Sequence, residues 1–312
     1  MNPTDVQAFQ GAVRLTDWGV IRAQGVDAAS FLHGQLTQDV AQIDSKAARL
    51  AGYCTAKGRL LASLLVWRAG SDELLLACSA DVLAATLKRL SMFVLRAKCK
   101  LSDASAEVGL YGLAGEAATS WLGAAAPSSP WQRNEFAGGQ VLRLPDAEGV
   151  ARYVLACPAE APPPALPALD SQAWDWLEVS SGVARVVAAT VEQFVPQMVN
   201  FEVVGGINFQ KGCYPGQEIV ARSQYRGTVK RRAFVLGAES SARPGQEVFH
   251  DADPDQPAGQ VVNAASWAGS HRALVELKLA TVDSGALHLG SATGPLLHRM
   301  AQPYVIPHEA GV

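Results

Sequence analysis

The sequence predicts an α+β protein of two or three domains that ends in a small all-β domain. Three observations lead to this expectation. The chain has 312 residues, more than one hydrophobic core usually serves. Helical and strand periodicities follow one another in mixed order as far as about residue 157. After Lys230 only short strand patterns occur, separated by Gly, Pro and Asp turns, which is typical of a β-barrel or sandwich.

Each predicted helix begins at a capping residue or a glycine. Asp27, Asp81 and Asp170 precede apolar residues at helical spacing, and the helix after Asp27 is expected to carry Val40 on its apolar face. A fourth, short helix is predicted at residues 115–122. The strands are predicted from apolar runs between turn residues, at 49–55, 60–67, 73–78, 96–101, 108–113, 140–144, 152–156, 233–236, 247–250, 259–264, 272–279 and 285–289.

Composition limits the possible functions. A net charge of −3 argues against tight binding of RNA or of an anionic membrane by the protein as a whole. The longest apolar run, residues 60–67, is too short to span a bilayer, and residues 1–5 lack the features of a signal peptide. Five cysteines without a C-x-x-C pair indicate reduced thiols. We expect a cytoplasmic monomer without membrane contact or direct RNA binding.

Reactive chemistry is concentrated in residues 211–218, which read Lys-Gly-Cys-Tyr-Pro-Gly-Gln-Glu. Two glycines beside a cysteine suit a loop that turns sharply or approaches another group. Lys211 and a short helix beginning near Pro215 would favour the thiolate form of Cys213. We expect Cys213 to be accessible and reactive, and the other four cysteines to be buried. The alternative is a structural loop in which the cysteine only fills space.

Neighbouring polar residues each allow a functional and a structural interpretation. Gln217 and Glu218 can form hydrogen bonds with the edge of a heterocyclic ligand, or can stabilise the loop by accepting hydrogen bonds from backbone N–H groups. The cations between Arg222 and Arg232 can grip a carboxylate or phosphate, or can form the solvated face of an edge strand. Glu178, next to the inward face of the Asp170 helix, is either a surface glutamate or a carboxylate that meets a ligand.

No metal site is predicted. Residues 251–262 superficially resemble a calcium-binding loop, but Gln256 replaces the glycine of its sixth position and Val262 the glutamate of its twelfth. The six histidines share no ligand spacing. Cys213 alone cannot hold an iron–sulfur cluster, which usually takes four ligands, so any cluster would need ligands from a second chain or a small thiol.

The run from Lys211 to Arg222 closely resembles the signature of the YgfZ family, and residues 31–40, 53–61 and 194–200 agree with it in order. The resemblance extends from about residue 10 to residue 300. It implies a protein that binds tetrahydrofolate or a derivative and assists the assembly or repair of iron–sulfur proteins, including cluster-dependent tRNA-modifying enzymes. The family is similar in fold to the folate-dependent aminomethyltransferase of the glycine cleavage system, the T-protein.

This resemblance implies a cloverleaf of three domains around a central folate site. The first α+β domain would comprise residues 1–48 with 170–230 and would carry the cysteine motif. The second α+β domain would comprise residues 49–169, and the C-terminal β-barrel residues 231–312. The segment around Glu178 is similar to the T-protein segment whose glutamate binds the pterin, and a carboxylate can accept two N–H bonds from an aminopyrimidine edge.

The remaining site assignments also follow from the resemblance. Those for folate binding are Glu178, Arg222, Arg226 and Tyr53, with either arginine at the glutamyl tail. Those for the chemistry are Cys213, Lys211, Gln217 and Glu218. Residues 58–63 lack the carboxylate that the T-protein has after this hairpin, which argues against ordinary aminomethyl transfer. Two alternatives remain, a folate-dependent one-carbon transferase or demethylase that uses Cys213, and a scaffold that recruits clients through the surface from Arg222 to Arg232.

Overall fold

The computed structural model describes residues 6–225 and 229–307. Its strands are β1 (Gly11–Arg14), β2 (Trp18–Gln24), β3 (Ala48–Cys54), β4 (Leu60–Gly70), β5 (Glu73–Ser79), β6 (Lys100–Asp103), β7 (Val108–Ala114), β8 (Arg133–Phe136), β9 (Gly139–Ala147), β10 (Val150–Pro158), β11 (Arg231–Ala238), β12 (Glu247–His250), β13 (Asp253–Trp267), β14 (Ser270–Lys278), β15 (Leu287–Leu289) and β16 (Leu296–Arg299). Its α-helices are α1 (Ala28–His33), α2 (Ala80–Ser91), α3 (Gly115–Leu122), α4 (Ser171–Ser180) and α5 (Gln217–Tyr225). Short 3₁₀ turns lie at Val6–Ala8, Gly123–Ala125, Ala188–Thr190, Pro196–Val199 and Leu279–Thr281.

These strands form two open sheets and one closed barrel. One five-stranded sheet has the order β1-β7-β10-β9-β8, and the other the order β3-β4-β5-β2-β6. The barrel runs β11-β14-β13-β12-β15-β16 and closes where β16 pairs with β11. The predicted α+β class and the C-terminal barrel are therefore confirmed, and the barrel begins at Arg231.

The strand pairing crosses the predicted domain boundary between residues 48 and 49. β2 lies in the segment before this boundary, yet it pairs with β5 over its whole length, from Trp18 opposite Ser79 to Gln24 opposite Glu73. β1 similarly pairs with β7. Local periodicity contains no information about pairing between distant segments, which explains the difference. The division of the chain into three domains otherwise stays a prediction.

The first helix is shorter than predicted. α1 ends at His33, and Leu36 and Val40 reach the core from the turns that follow it. The side chain of Asp27 does not cap α1. Its Oδ2 instead accepts a hydrogen bond from the backbone N–H of Lys98, at 2.7 Å. An aspartate at this position thus serves a long-range contact and not the local cap that the sequence suggested.

The main core lies where α4 packs against the barrel. The rings of Trp176 on α4 and Trp267 on β13 are 6.4 Å apart, and Phe9 lies 4.7 Å from Trp267. The guanidinium of Arg272 stacks 4.1 Å from the ring of Trp176. This packing fixes α4 and therefore the direction of its polar residues. In the described ranges, 6–225 and 229–307, no helix combines the length and the apolar character that crossing a membrane requires.

Candidate functional site

Glu178 projects from α4 into a cavity between the sheets. α4 begins at Asp170, whose carboxylate accepts a bond from Gln172 N at 2.8 Å. Trp174 and Leu177 face the core at helical spacing, so Glu178 stands at the edge of the buried face. The cavity measures about 470 Å³ including its open side. Most of its walls are apolar and consist of Trp18, Leu50, Leu64, Leu65, Trp131, Leu144, Pro145, Val183 and Ala184.

Charged partners surround this carboxylate. Nη2 of Arg185 lies 3.4 Å from Oε2 of Glu178 and 2.6 Å from Oδ2 of Asp17. Burial raises the pKa of Glu178, and the positive charge of Arg185 opposes this rise without cancelling it. The Arg185 guanidinium also lies 5.0 Å from the ring of Trp18. The cavity therefore holds an acceptor and a cation at one end, against apolar walls.

Two hydrogen-bond donors in the same cavity have no partner among the described residues. They are Nε1 of Trp18 and Nη1 of Arg185, and both are buried. Buried donors nearly always have a partner, so each such atom requires an explanation. A planar ligand with a hydrogen-bonding edge would supply one, because its ring acceptors can meet the donors while its N–H groups meet Glu178.

A second cavity lies on the other side of Glu178 and is also lined by Asp175, Arg185 and Asn263. Burial raises the pKa of Asp175 to about 7, and the charges of Glu178 and Asp17 act in the same direction. The fully buried Arg152 lines the first cavity, where its guanidinium lies 5.6 Å from the ring of Trp174. Burial lowers the pKa of this arginine to about 10. Buried acids and bases thus meet around α4.

Replacing Asp175 with asparagine should stabilise the protein at alkaline pH. The raised pKa means that the folded state holds a proton which the unfolded state releases near pH ~4, so wild-type stability falls as the pH rises from about 4 to about 7. We expect Asp175→Asn to gain about 1–2 kcal/mol at pH 8, after allowance for partial exposure, and nothing at pH 4. Urea unfolding at both pH values tests this, and an equal effect at both would contradict the titration.

The cysteine loop, residues 211–216, packs against the turn between β3 and β4. Thr55 N donates to Arg59 O at 2.8 Å, which forms the predicted hairpin turn. Gly216 has a φ of +81°, and a Cβ added there would lie 2.4 Å from the carbonyl oxygen of Thr55 and 2.7 Å from Cα of Gly58. Gly58 and Gly216 therefore allow the backbone of the hairpin turn to contact the backbone of the cysteine loop.

Lys211 anchors this loop from inside. Its Nζ donates to the carbonyl oxygens of His33 and of Leu36, the latter at 2.7 Å, and lies 4.7 Å from the ring of Tyr214. Burial lowers the pKa of Lys211 to about 8. The amine, predicted to take part in the chemistry, thus binds the end of α1 in the structure.

Cys213 is exposed, whereas Cys54, Cys78 and Cys157 are buried and Cys99 is half-buried. A histidine and a carboxylate flank its loop. Nδ1 of His33 lies 3.0 Å from Oδ1 of Asp39, and a Cβ added to Gly212 would lie 3.4 Å from Nε2 of His33. The sequence indicated no site role for either residue, because a histidine and an aspartate six residues apart match no catalytic spacing.

The other residues predicted near the thiol lie on α5 or beyond it. Gln217 begins α5 and is half-buried. Glu218 and Arg222 form an exposed ion pair with each other, at 3.1 Å across one helical turn. Arg226 lies outside the described residues. Glu218 and Arg222 therefore contact each other at the surface, and neither lines the Glu178 cavity.

The predicted basic surface is interrupted by the barrel. Arg231 pairs with the buried Glu276, and Arg232 is itself buried against Glu202. Lys230 is exposed. A client-binding surface from Arg222 to Arg232 would therefore lack two free cations, because Arg231 is paired with Glu276 and Arg232 points into the interior.

Tyr53 does not reach the Glu178 cavity. Successive side chains of a strand point to opposite faces, so Leu50 and Tyr53 on β3 face different cores. Leu50 lines the Glu178 cavity, while Tyr53 is buried beneath α2 and lines another cavity with Arg89. Tyr53 and Glu178 thus line different cavities, and the assignment of Tyr53 to folate binding stays a prediction.

The structure also separates Cys213 from Glu178. The cavity meets β4 at Ser63, Leu64 and Leu65, whereas the cysteine loop contacts Gly58. Five residues of extended chain correspond to about 16 Å. No described residue of the cysteine loop lines the cavity. The Glu178 cavity and the cysteine loop are therefore two separate locations connected by one hairpin.

Comparisons with known proteins identify the family of this chain. No protein-family model matches the chain. The tRNA-modifying protein YgfZ of Edwardsiella ictaluri is 37% identical over 243 residues, which cover 74% of this chain and 72% of the relative. That of Sodalis glossinidius is 32% identical over 247 residues, covering 74% and 73%. The chain belongs to the YgfZ family.

A solved structure shows the fold of this YgfZ family member. The glycine cleavage system aminomethyltransferase T from Bartonella henselae superposes with a TM-score of 0.73 over 97% of this chain and 88% of its own, at 17% identity. The family resemblance and the T-protein-like fold predicted from the sequence are both confirmed.

Proposed function

We propose that this YgfZ family member binds tetrahydrofolate or a derivative in the Glu178 cavity and acts as an accessory protein for tRNA-modifying enzymes that depend on iron–sulfur clusters. The observation that carries the proposal is the buried carboxylate of Glu178 beside two unpartnered donors, Trp18 Nε1 and Arg185 Nη1. The names of the relatives support the link to tRNA modification.

The residues of the cavity fit a pterin. Glu178 would accept N–H bonds from the aminopyrimidine edge, and the two free donors would meet ring nitrogen or oxygen acceptors. Leu50, Leu65 and Trp131 would cover the faces of the ring. When bound, tetrahydrofolate supplies a carrier for one-carbon units.

The walls of the cavity favour binding over turnover. On β4 the polar residue that lines it is Ser63, whose hydroxyl accepts a bond from Val186 N at 2.9 Å. This hydroxyl fixes the chain after α4, and no carboxylate stands on that strand segment to handle a proton. These features support the accessory role over the alternative of a one-carbon transferase or demethylase.

The position of Cys213 supports a thiol that acts on a partner. It is exposed, it belongs to a loop rigidly docked on the hairpin, and it lies outside the cavity. One thiolate holds at most one coordination position of a cluster, so the partner or a small thiol would supply the other ligands. His33, held by Asp39, stands next to the loop.

Folinic acid should bind to the purified protein and quench tryptophan fluorescence, because Trp18 and Trp131 line the cavity. Glu178→Gln should weaken binding about 10- to 100-fold, since a hydrogen bond to a charged group contributes about 1.5–3 kcal/mol. Glu218→Gln, an exposed glutamate outside the cavity, is the matched control and should bind normally. Equal affinity for wild type and Glu178→Gln would refute the assigned site.

The variant Cys213→Ala distinguishes the proposed folate binding from the proposed action of the thiol on a partner enzyme. Folate affinity should stay unchanged in this variant, because the thiol does not line the cavity. Activation of a cluster-dependent tRNA-thiolating enzyme by the purified protein should be lost, and Cys99→Ala should retain it. Folate-dependent turnover of a methylamine donor that disappears in Cys213→Ala would instead establish the transferase.

A further inference from the structure

The end of α2 and the segment after it expose an unusual number of apolar side chains. The described residues contain five large apolar side chains that are exposed, and three of them are Met92 (63%), Phe93 (42%) and Leu95 (87%). Scattered exposed apolar residues are ordinary, but a contiguous group marks an interaction surface. This group therefore requires a reason outside the fold itself.

A fourth exposed apolar residue, Val26 (65%), extends the same surface. The next residue, Asp27, donates its backbone N–H to Lys98 O at 3.2 Å, and its Oδ2 accepts from Lys98 N at 2.7 Å. These two bonds hold the turn before α1 against the segment that follows α2. We refer to Val26, Met92, Phe93, Leu95 and the cations described next as the α2 patch.

Five exposed cations surround these side chains, and they are Lys88, Arg89, Arg96, Lys98 and Lys100. No aspartate or glutamate occurs between residues 82 and 102, although the whole chain carries a net charge of −3. Across the described parts of the chain, none of the five forms a salt bridge. The α2 patch is thus a local concentration of positive charge in which none of the five cations is paired with a carboxylate of a described residue.

One of these exposed side chains belongs to a residue with an unfavourable backbone conformation. Leu95 has a φ of +42°, a left-handed conformation that is unfavourable for a leucine by about 1 kcal/mol or more. Its side chain is 87% exposed, so no burial within the chain offsets this backbone strain. Contact with a second molecule would bury it.

A recess opens directly beside the patch. It lies between α2 and the segment around Val191, measures about 1050 Å³ with its open side included, and reaches Met92. Its floor is largely apolar, while Asp81 and Glu192 provide negative charge in the same recess. An apolar side chain of a partner could enter this recess while neighbouring groups meet the cations of α2.

We propose that the α2 patch is a docking surface for an acidic, amphipathic helical segment of a partner protein, whose apolar residues cover Met92 and Leu95. Charge complementarity selects an acidic partner. Three of the four exposed side chains are aliphatic, whereas binding of single-stranded nucleic acid relies on aromatic stacking. The largely apolar recess can take up a side chain of a protein segment, which the headgroups of an anionic membrane do not offer. This inference does not depend on folate binding.

Fluorescence anisotropy tests the proposal with a labelled 18-residue helical peptide that carries leucines on one face and glutamates on the other. The wild-type protein should bind it, with an affinity that falls as salt rises. Met92→Asp with Leu95→Asp should weaken binding at least tenfold, and so should Arg96→Glu with Lys98→Glu. Val305→Asp changes the remaining exposed apolar side chain, at 88% exposure, and should bind like wild type.

All these substitutions are at exposed positions, so unchanged thermal unfolding will show that the variants fold. Failure of the wild type to bind the acidic peptide would overturn the proposal. Equal binding of a peptide with lysines in place of the glutamates would do the same. The proposal is also wrong if the four substitutions instead abolish binding to tRNA or to phosphatidylglycerol vesicles, or dissociate a dimer of this chain in sedimentation experiments.

Discussion

Gly216→Ala should lower the free energy of unfolding by about 2–4 kcal/mol, as the sum of two costs. The first is the φ of +81°, which costs an alanine about 1 kcal/mol. The second is contact with backbone, since the new Cβ would lie 2.4 Å from Thr55 O and 2.7 Å from Gly58 Cα. Neither neighbour can rotate away, so the loop must lift from the hairpin at about 1–3 kcal/mol. Urea unfolding measures the sum.

Gly269→Ala is the matched control for this substitution. Gly269 has a φ of +77°, but an added Cβ would meet nothing within 4 Å. Gly269→Ala should therefore lower the free energy of unfolding only by the cost of the positive φ, about 1 kcal/mol. The difference between the two variants isolates the contact between the cysteine loop and the hairpin. If both lose the same amount, the loop is not docked on the hairpin as the structure shows.

The cysteine loop shows which features of the structure could be predicted from the sequence. The glycines beside Cys213 indicated a close approach of backbone, and Gly58 indicated a hairpin, so both halves of this contact were predictable. That the two halves meet was not, because nothing local connects residue 216 with residue 58. The buried position of Lys211 follows from the same long-range docking.

Glu178 shows the same limit at the other site. Its segment resembled a pterin-binding one, and its place beside Leu177 was compatible with either a surface glutamate or a carboxylate that meets a ligand. Its partner Arg185, and Asp17, which pairs with the same arginine, had no detectable signal, since each comes from a short connecting segment that follows no periodicity. They reach Glu178 through the pairing of β2 with β5 and through the course of the chain after α4.

Residues 230–232 show why a run of cations is a poor guide to a surface. In a strand, successive side chains alternate between two faces, so three consecutive cations cannot all share one environment. Arg232 points inward, where Nη1 donates to Gln197 O at 3.0 Å and to the carboxylate of Glu202. Gln197 in turn donates to Val220 O of α5 at 2.7 Å. Arg232 thus connects the barrel with the helix that follows Cys213.

Arg232→Ala should therefore lower the free energy of unfolding by about 3–5 kcal/mol, because it leaves the carboxylate of Glu202 buried without its cation. Burial already raises the pKa of Glu202 against the opposing bond from Arg232. Without the arginine this pKa should rise further, so the folded state would retain a proton to higher pH. The loss of stability should then be smaller at acid pH, where Glu202 is neutral, and larger at neutral pH. Urea unfolding across this pH range measures it.

Two further variants distinguish a lost ion pair from a lost packing contact. Arg222→Ala removes an exposed pair with Glu218 and should cost no more than about 0.5 kcal/mol. Arg232→Met combined with Glu202→Met removes both buried charges while retaining much of the side-chain volume, and it should cost clearly less than Arg232→Ala alone. A double variant as unstable as the single one would show that packing, and not the uncompensated carboxylate, dominates at this junction. In either case, loss of function on charge reversal at Arg232 would report a disrupted interior and not a disrupted client-binding surface.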